Sequence, residues 1–226
     1  MNTVRRKHRV LLAGIAISVG CIAQYAYANP GVAACALSDI GRADHTLTDH
    51  ARLRAESELR ISRLYGTPQA RPIVVFWDRS TWLGKLRLNE YASTHMLGTR
   101  VCVFIGPKGR SVDVVAHELV HAEVFERVGP WARATQLPVW FDEGLAMQVD
   151  YREAYDLPEN FDTSYVRTLA SPADFYTAGE DALTMNYGSA KVEVARWVAG
   201  VGARSVFAQL ARLRTGEPFA SIDTPQ

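Results

Sequence analysis

Val112-Asp113-Val114-Val115-Ala116-His117-Glu118-Leu119-Val120-His121 carries the pattern H-E-x-x-H inside an apolar run. On an α-helix, residues four apart stand one turn above each other on the same face. His117 and His121 can therefore aim both imidazoles at one point, as two ligands of a tetrahedral zinc ion must. Glu118 lies one step round the helix, and its longer side chain reaches toward the open coordination position. A carboxylate there can take a proton from a water whose pKa the metal lowers. The bland alternative is a surface helix that happens to carry two histidines. Val112, Val115, Ala116, Leu119, Val120 and Val128 speak against it, because they make the helix apolar enough for a core. Asp113 suits the positive end of the helix dipole. Gly129-Pro130 stops the helix.

On the N-terminal side, the first 28 residues read as a signal peptide and the remainder, 29–226, as a single domain. Arg5, Arg6, Lys7 and Arg9 form a basic start, Val10 to Ala23 an apolar stretch too short to span a membrane, and Ala26-Tyr27-Ala28 a cleavage site. Val19-Gly20-Cys21 offers lipid attachment as the lesser alternative. The reading is therefore of an exported protein, periplasmic if bacterial and otherwise secreted, with no stable membrane span after cleavage. Its formal charge of +1 becomes −3, 21 basic against 24 acidic residues, once the leader is gone. With no basic block left, nucleic acid is excluded as a partner. Cys35 and Cys102 remain, and in an oxidising compartment they can pair. Neither has the spacing of a redox or zinc motif.

Between leader and motif, Asp39 to Asp49 reads as a loop and Leu47 to Tyr65 as an amphipathic helix ended by Gly66. Ile73 to Trp77 and Arg100 to Ile105 read as buried strands. Asp78 to Leu97 yields no assignment beyond Trp82 and Leu83 as core candidates. Beyond the motif, Trp131 to Gln136 reads as a connector, and Pro138 to Met147 as a helix entered through proline. Tyr151 to Gly179 is loop-rich and a candidate substrate-facing region. Tyr187 to Val198 and Ala203 to Leu213 read as helices separated by glycines.

A catalytic zinc takes three protein ligands and leaves a fourth position open. Val124 and Arg127 stand where a metzincin would have Gly and His, so that class is excluded. No histidine follows His121, which leaves a carboxylate or an earlier histidine as third ligand. Glu143 is the best candidate, beside a glycine that lets backbones approach closely. Asp142 competes with it, and either could simply be part of an acidic helix start.

The motif followed by Pro138-Val139-Trp140-Phe141-Asp142-Glu143-Gly144-Leu145-Ala146 resembles the gluzincin metallopeptidases. The closer likeness is to the aminopeptidase-N-like and peptidase-MA-like catalytic domains, over roughly Val101 to Phe219. The resemblance implies one zinc ion per chain held by His117, His121 and Glu143. It also aligns Tyr187-Gly188-Ser189-Ala190-Lys191 with the family block whose tyrosine donates a hydrogen bond to the developing oxyanion, making Tyr187 catalytic beside Glu118. The spacing between His121 and Glu143 is longer than the family's usual one by three residues. The family's G-x-M-x-N segment is missing from Gly98 to Gly106. Aminopeptidase specificity is thus not implied over endopeptidase specificity.

The expected fold is α+β and zincin-like, a small, mostly antiparallel sheet over helices with zinc in the cleft. The expected function is an exported zinc peptidase acting on a peptide or protein substrate, which could pair with the strand Val101 to Ile105. The alternative is a non-catalytic zinc-containing module that binds peptide or envelope partners on the same scaffold. A purely structural site has no need of Glu118.

Overall fold

The computed structural model describes residues 29–37, 48–86, 88–177 and 179–223. The expected signal peptide with Cys21, and the expected loop up to residue 47, lie outside them. The described fold is α+β, mostly helical, with one three-stranded mixed sheet.

In chain order the longer elements are α1 (Pro30–Leu37), α2 (Thr48–Tyr65), β1 (Ile73–Phe76), β2 (Ala92–Leu97) and β3 (Arg100–Ile105). Then come α3 (Val112–Val128), α4 (Pro130–Thr135), α5 (Val139–Met147), α6 (Pro172–Tyr176), α7 (Glu180–Val201), α8 (Val206–Arg214) and α9 (Phe219–Asp223). None of the described helices is long and apolar enough to cross a membrane.

The sheet order is β1-β3-β2. A two-residue turn joins β2 to β3, with Gly98 at a positive φ of 62°, a conformation that suits glycine in tight hairpins. That hairpin sets an antiparallel register, Leu97 opposite Arg100 and Ala92 opposite Ile105. β1 takes the other side of β3 and runs parallel to it, Ile73 opposite Cys102. The sheet is thus half parallel rather than mostly antiparallel. A hairpin had already claimed one edge of β3, and the chain entering β1 runs in β3's direction. β2 itself was missed in the sequence because Ala92-Ser93-Thr94-His95 lacks an apolar run.

Strand alternation sends the residues of β3 to two different cores. Val103 and Ile105 face α3, inside the main core that also holds Val115, Leu119, Val120, Phe141, Leu145 and Leu210. Cys102 and Phe104 face a smaller core built with Ala34, Cys35, Val75 and Trp77. There the expected bridge is present: Cys35 and Cys102 are joined, closing a separation of 67 residues and tying α1 to the central strand. Leu83 is buried in this second core, whereas Trp82 is 36% exposed, so only one of the two core candidates is core.

α3 is the axis of the fold. It packs against the sheet on one side and against α2, α5 and α8 on the others. Ser111 caps it, accepting from the Val114 amide at 3.3 Å, and Gly129 ends it at φ 81°. The expected connector at Trp131 to Gln136 is instead α4, a short helix opened by Pro130 at its first turn. α7 begins at Glu180, well before the expected start, because Glu180 and Asp181 supply an acidic first turn. Tyr187 therefore lies inside the helix rather than at its start. Tyr151 to Gly179 is largely irregular as expected, apart from short 3₁₀ turns and α6.

The bridge constrains the unfolded chain, and over this loop the entropy model gives it about 4 kcal/mol. Thiol titration of the unfolded, unreduced protein should find neither Cys35 nor Cys102 free. Cys35→Ser together with Cys102→Ser should lower stability by roughly that amount in denaturant melts. Two free thiols would contradict the bridge.

Candidate metal centre

His117 and His121 come from the middle of α3, and Glu143 from the middle of α5, which packs against it. Gly144 lets α5 approach α7 closely: a Cβ there would stand 2.5 Å from the Ala190 carbonyl oxygen. Glu143 Oε2 stands 3.2 Å from His117 Nε2 and 3.4 Å from His121 Nε2. The two Nε2 atoms are 3.2 Å apart. All three side chains are buried.

Each of these residues is held from behind by another group. Asp142 Oδ1 accepts from His121 Nδ1 at 3.0 Å, and Arg133 in turn binds Asp142 Oδ2. His117 Nδ1 faces Asp150 Oδ2 at 3.5 Å, a long ion-pair contact. Asp150 is fixed by Arg152, whose Nε donates to Oδ1 at 2.9 Å. Tyr176 on α6 donates its hydroxyl to Glu143 Oε1.

The protonation chemistry bears on whether the cluster can hold a metal ion. A proton on His121 Nδ1, directed at Asp142, leaves a lone pair on Nε2 in the neutral ring. His117 Nδ1 makes an ion-pair contact with Asp150 rather than a hydrogen bond, and a neutral ring protonated there likewise keeps its Nε2 lone pair. Two lone pairs and Glu143 Oε2, which has no hydrogen-bond partner of its own, converge on one point. Three acceptors within 4.8 Å of one another repel unless a cation or extra protons join them. The acid–base balance shows the same shortage of positive charge. Burial disfavours a charged imidazole, yet Glu143 and Asp142 hold His121 well above its ordinary pKa. Burial disfavours the Glu143 carboxylate, yet the two histidines hold it well below the ordinary carboxylate range. Burial likewise opposes ionisation of Asp142 and Asp150, and Arg133 and Arg152 respectively lead the groups that reverse it. His117, His121 and Glu143 are thus a group able to hold a metal ion, as expected from the sequence.

Glu118 does not join this group. Its Oε2 accepts from Thr94 Oγ1 on β2 at 2.7 Å, and it lines a cleft of about 490 Å³ on the His117 side of the cluster. Tyr187 lines the same cleft, its ring 6.1 Å from that of His117. Burial raises its phenol pKa well above the ordinary value, with Glu143 and Glu118 reinforcing the effect, so it stays protonated and able to donate. The structure therefore brings His117, His121, Glu143, Glu118 and Tyr187 together. Asp142, the competing ligand, instead orients His121, because consecutive helical residues point about 100° apart.

Arg133, Asp150, Arg152, Tyr176 and Thr94 were not found from the sequence. Their partners lie far away along the chain, and none sits in a spaced motif. No family model, curated protein or solved structure matches this chain.

Tyr176 leaves Glu143 with one unengaged oxygen, Oε2, aimed at the histidines. Tyr176→Phe should keep the fold by circular dichroism but weaken divalent-metal affinity about 10- to 100-fold, as the loss of a group supporting a ligand typically does. Competition against a chromophoric chelator measures this. Unchanged affinity would mean that the Tyr176 hydrogen bond is incidental.

Proposed function

We propose that this chain is an exported zinc-dependent peptidase of zincin-like fold, hydrolysing peptide bonds at the cluster of His117, His121 and Glu143. The observation that carries the reading is the pairing of a buried two-histidine, one-carboxylate group with a separate carboxylate, Glu118, on the cleft side of it. The ligand chemistry suits zinc, which favours imidazole nitrogen and a carboxylate oxygen. Zinc held there supplies Lewis acidity to a carbonyl oxygen and acidifies water.

The residues of the chain divide the remaining work. Thr94 holds one Glu118 oxygen, so the other is available to take a proton from water in the cleft. Glu118 then returns that proton to the departing amine. Tyr187 donates its phenolic hydrogen to the carbonyl oxygen as negative charge develops on it, an interaction strongest in the transition state. Asp142 and Asp150 keep the imidazoles oriented throughout.

The substrate backbone is assigned to β2, not to the strand Val101 to Ile105. That strand is β3, and both its edges are taken, by β1 and β2. β2 is the outer strand beside Glu118. The Gly106 amide bonds to the Tyr91 carbonyl on the β3 side, and strand alternation then turns the backbone groups of Ala92, Thr94 and Met96 outward. An extended peptide can pair there and run past Glu118. The bridge between Cys35 and Cys102 supports export, since such bonds persist in oxidising compartments.

Protein purified without added metal should contain close to one zinc per chain by elemental analysis, and His117→Ala should lose most of it. Glu118→Gln should keep the zinc and lower turnover of a peptide substrate at least 10²-fold, the lower bound for general-base assistance. Tyr187→Phe should also keep zinc and lose about 10²- to 10³-fold, the usual loss for one oxyanion donor. A Glu118→Gln protein active within about tenfold of wild type would sink the mechanism, since general-base loss costs more than that. Stoichiometric zinc without turnover of any peptide would favour the non-catalytic module.

A further inference from the structure

The cleft beside Glu118 has walls of a particular chemistry. Tyr91, Ala92 of β2, Tyr155, Leu183 and Tyr187 line it. Tyr91 immediately precedes β2 and is 51% exposed, its ring at the mouth with Lys108 Nζ 5.8 Å from the centroid, and Lys108 is itself paired with Glu90 at 3.0 Å. Tyr155 is not free to swing away. Its ring lies 5.4 Å from that of Tyr187, and the Arg152 guanidinium stacks over it at 4.9 Å. Behind it, Gly188 admits the Tyr155 backbone: a Cβ there would stand 2.6 Å from the Tyr155 carbonyl oxygen. Phe175 backs Tyr187 with ring centroids 5.3 Å apart.

The charges in the cleft do not suit an acidic guest. Arg152 is the cation on its wall, and Asp150 matches it through both carboxylate oxygens. Glu180 at the opening and Glu118 inside are both acidic. A carboxylate side chain entering here would meet two like charges and no unmatched positive one. Aromatic rings held at such angles instead offer edge-to-face contact to another ring, or a broad surface to a branched aliphatic chain.

We propose that this cleft is a side-chain subsite for a large aromatic or aliphatic residue next to the scissile bond, and that it sets the specificity of the enzyme. The proposal rests on the peptidase reading above for the identity of its guest. A peptide paired along β2 places alternate side chains on the face that bears Thr94 and Glu118. One of them drops between Tyr91, Tyr155 and Leu183. The volume of about 490 Å³ is ample for a phenylalanine, tyrosine or leucine side chain.

The test uses the zinc-loaded mature protein and a peptide library varied at the positions flanking each cleavage point, read by mass spectrometry. Phe, Tyr or Leu should be enriched at one flanking position. The kcat/KM for such a peptide should exceed that of its Ala counterpart by at least about tenfold, and that of its Asp counterpart by more, as apolar pockets discriminate. Tyr91→Ala should reduce the Phe-over-Ala ratio several-fold. Because Tyr91 is half exposed, loss of folding is not expected, and melting temperature checks it. In parallel, Glu118→Gln protein is titrated with fluorescent Phe, Ala, Lys and Asp peptides, and anisotropy gives the affinities. Turnover without preference for large apolar residues, or with preference for Lys or Asp, overturns the subsite and leaves the peptidase reading intact. No turnover but preferential binding of the Phe peptide, weakened by Tyr91→Ala, supports the subsite and sinks the peptidase. Neither turnover nor discrimination in binding overturns the subsite.

Discussion

The fold turns on the burial of four ionisable side chains along one helix. His117, Glu118, His121 and Glu123 all lie on α3 and all are buried. A buried ionisable group without partners costs several kcal/mol, so each one demands a partner from elsewhere in the chain. Glu118 takes Thr94 from β2. His121 takes Asp142 from α5, and His117 takes Asp150 from the segment after it. Glu123 receives the backbone amides of Gln69 and Ala70, at 2.8 Å and 2.7 Å, and the guanidinium of Arg127. Four requirements on one helix thus fix the sheet, α5 and the approach to β1 around it. Apolar packing alone would tolerate some sliding of these elements, but directional polar contacts do not.

The cluster of His117, His121 and Glu143 is where this scheme differs. Glu123 is matched within the chain and Glu118 is held by Thr94, but Glu143 Oε2 and the two Nε2 atoms converge on one another. Arg133 and Arg152 come close, yet each is spent on the outer carboxylate, Asp142 or Asp150. Positive charge at the centre therefore comes from protons on the histidines, which Glu143 and Asp142 hold on His121 above its ordinary pKa, or from a cation that displaces them. An exchange of protons for a cation is open to these three converging side chains, whereas Glu123 has amides and a guanidinium of the chain as its partners.

What the sequence revealed follows the range of the interactions. His117, Glu118 and His121 are related by helical periodicity, which four residues suffice to display. Ile73 to Phe76 and Val101 to Ile105 announce themselves as buried strands through unbroken apolar runs. β2 was hidden because one side of it meets polar groups, Thr94 against Glu118, so its pattern is neither apolar nor alternating. α4 was hidden because six residues carry too little periodicity. Tyr176, Asp150 and Arg133 were hidden for a different reason: each gains its role from a tertiary contact, and nothing local distinguishes them from other polar residues. The pairing of Cys35 with Cys102 was legible by elimination, but the consequence, a second core clamping α1 onto the sheet, was not.

That second core bears on the chemistry through β2. On the α3 face, Thr94 is bonded to Glu118. On the opposite face, the His95 ring packs against α1 so closely that a Cβ on Gly31 would stand 2.0 Å from it. The bridge at Cys102, directly across from His95 in the register, holds α1 in place to make that contact. β2 is thus gripped from both faces while its outer edge stays without a strand partner among the described residues. Outer strands are commonly blunted by charge, proline or bulges to prevent unwanted pairing. β2 carries no proline and no acidic or basic Lys, Arg, Asp or Glu residue along its length. A strand held on both faces, with its outer edge unpaired among the described residues, has its pairing geometry set in advance, which lowers the ordering cost of the substrate placement proposed above.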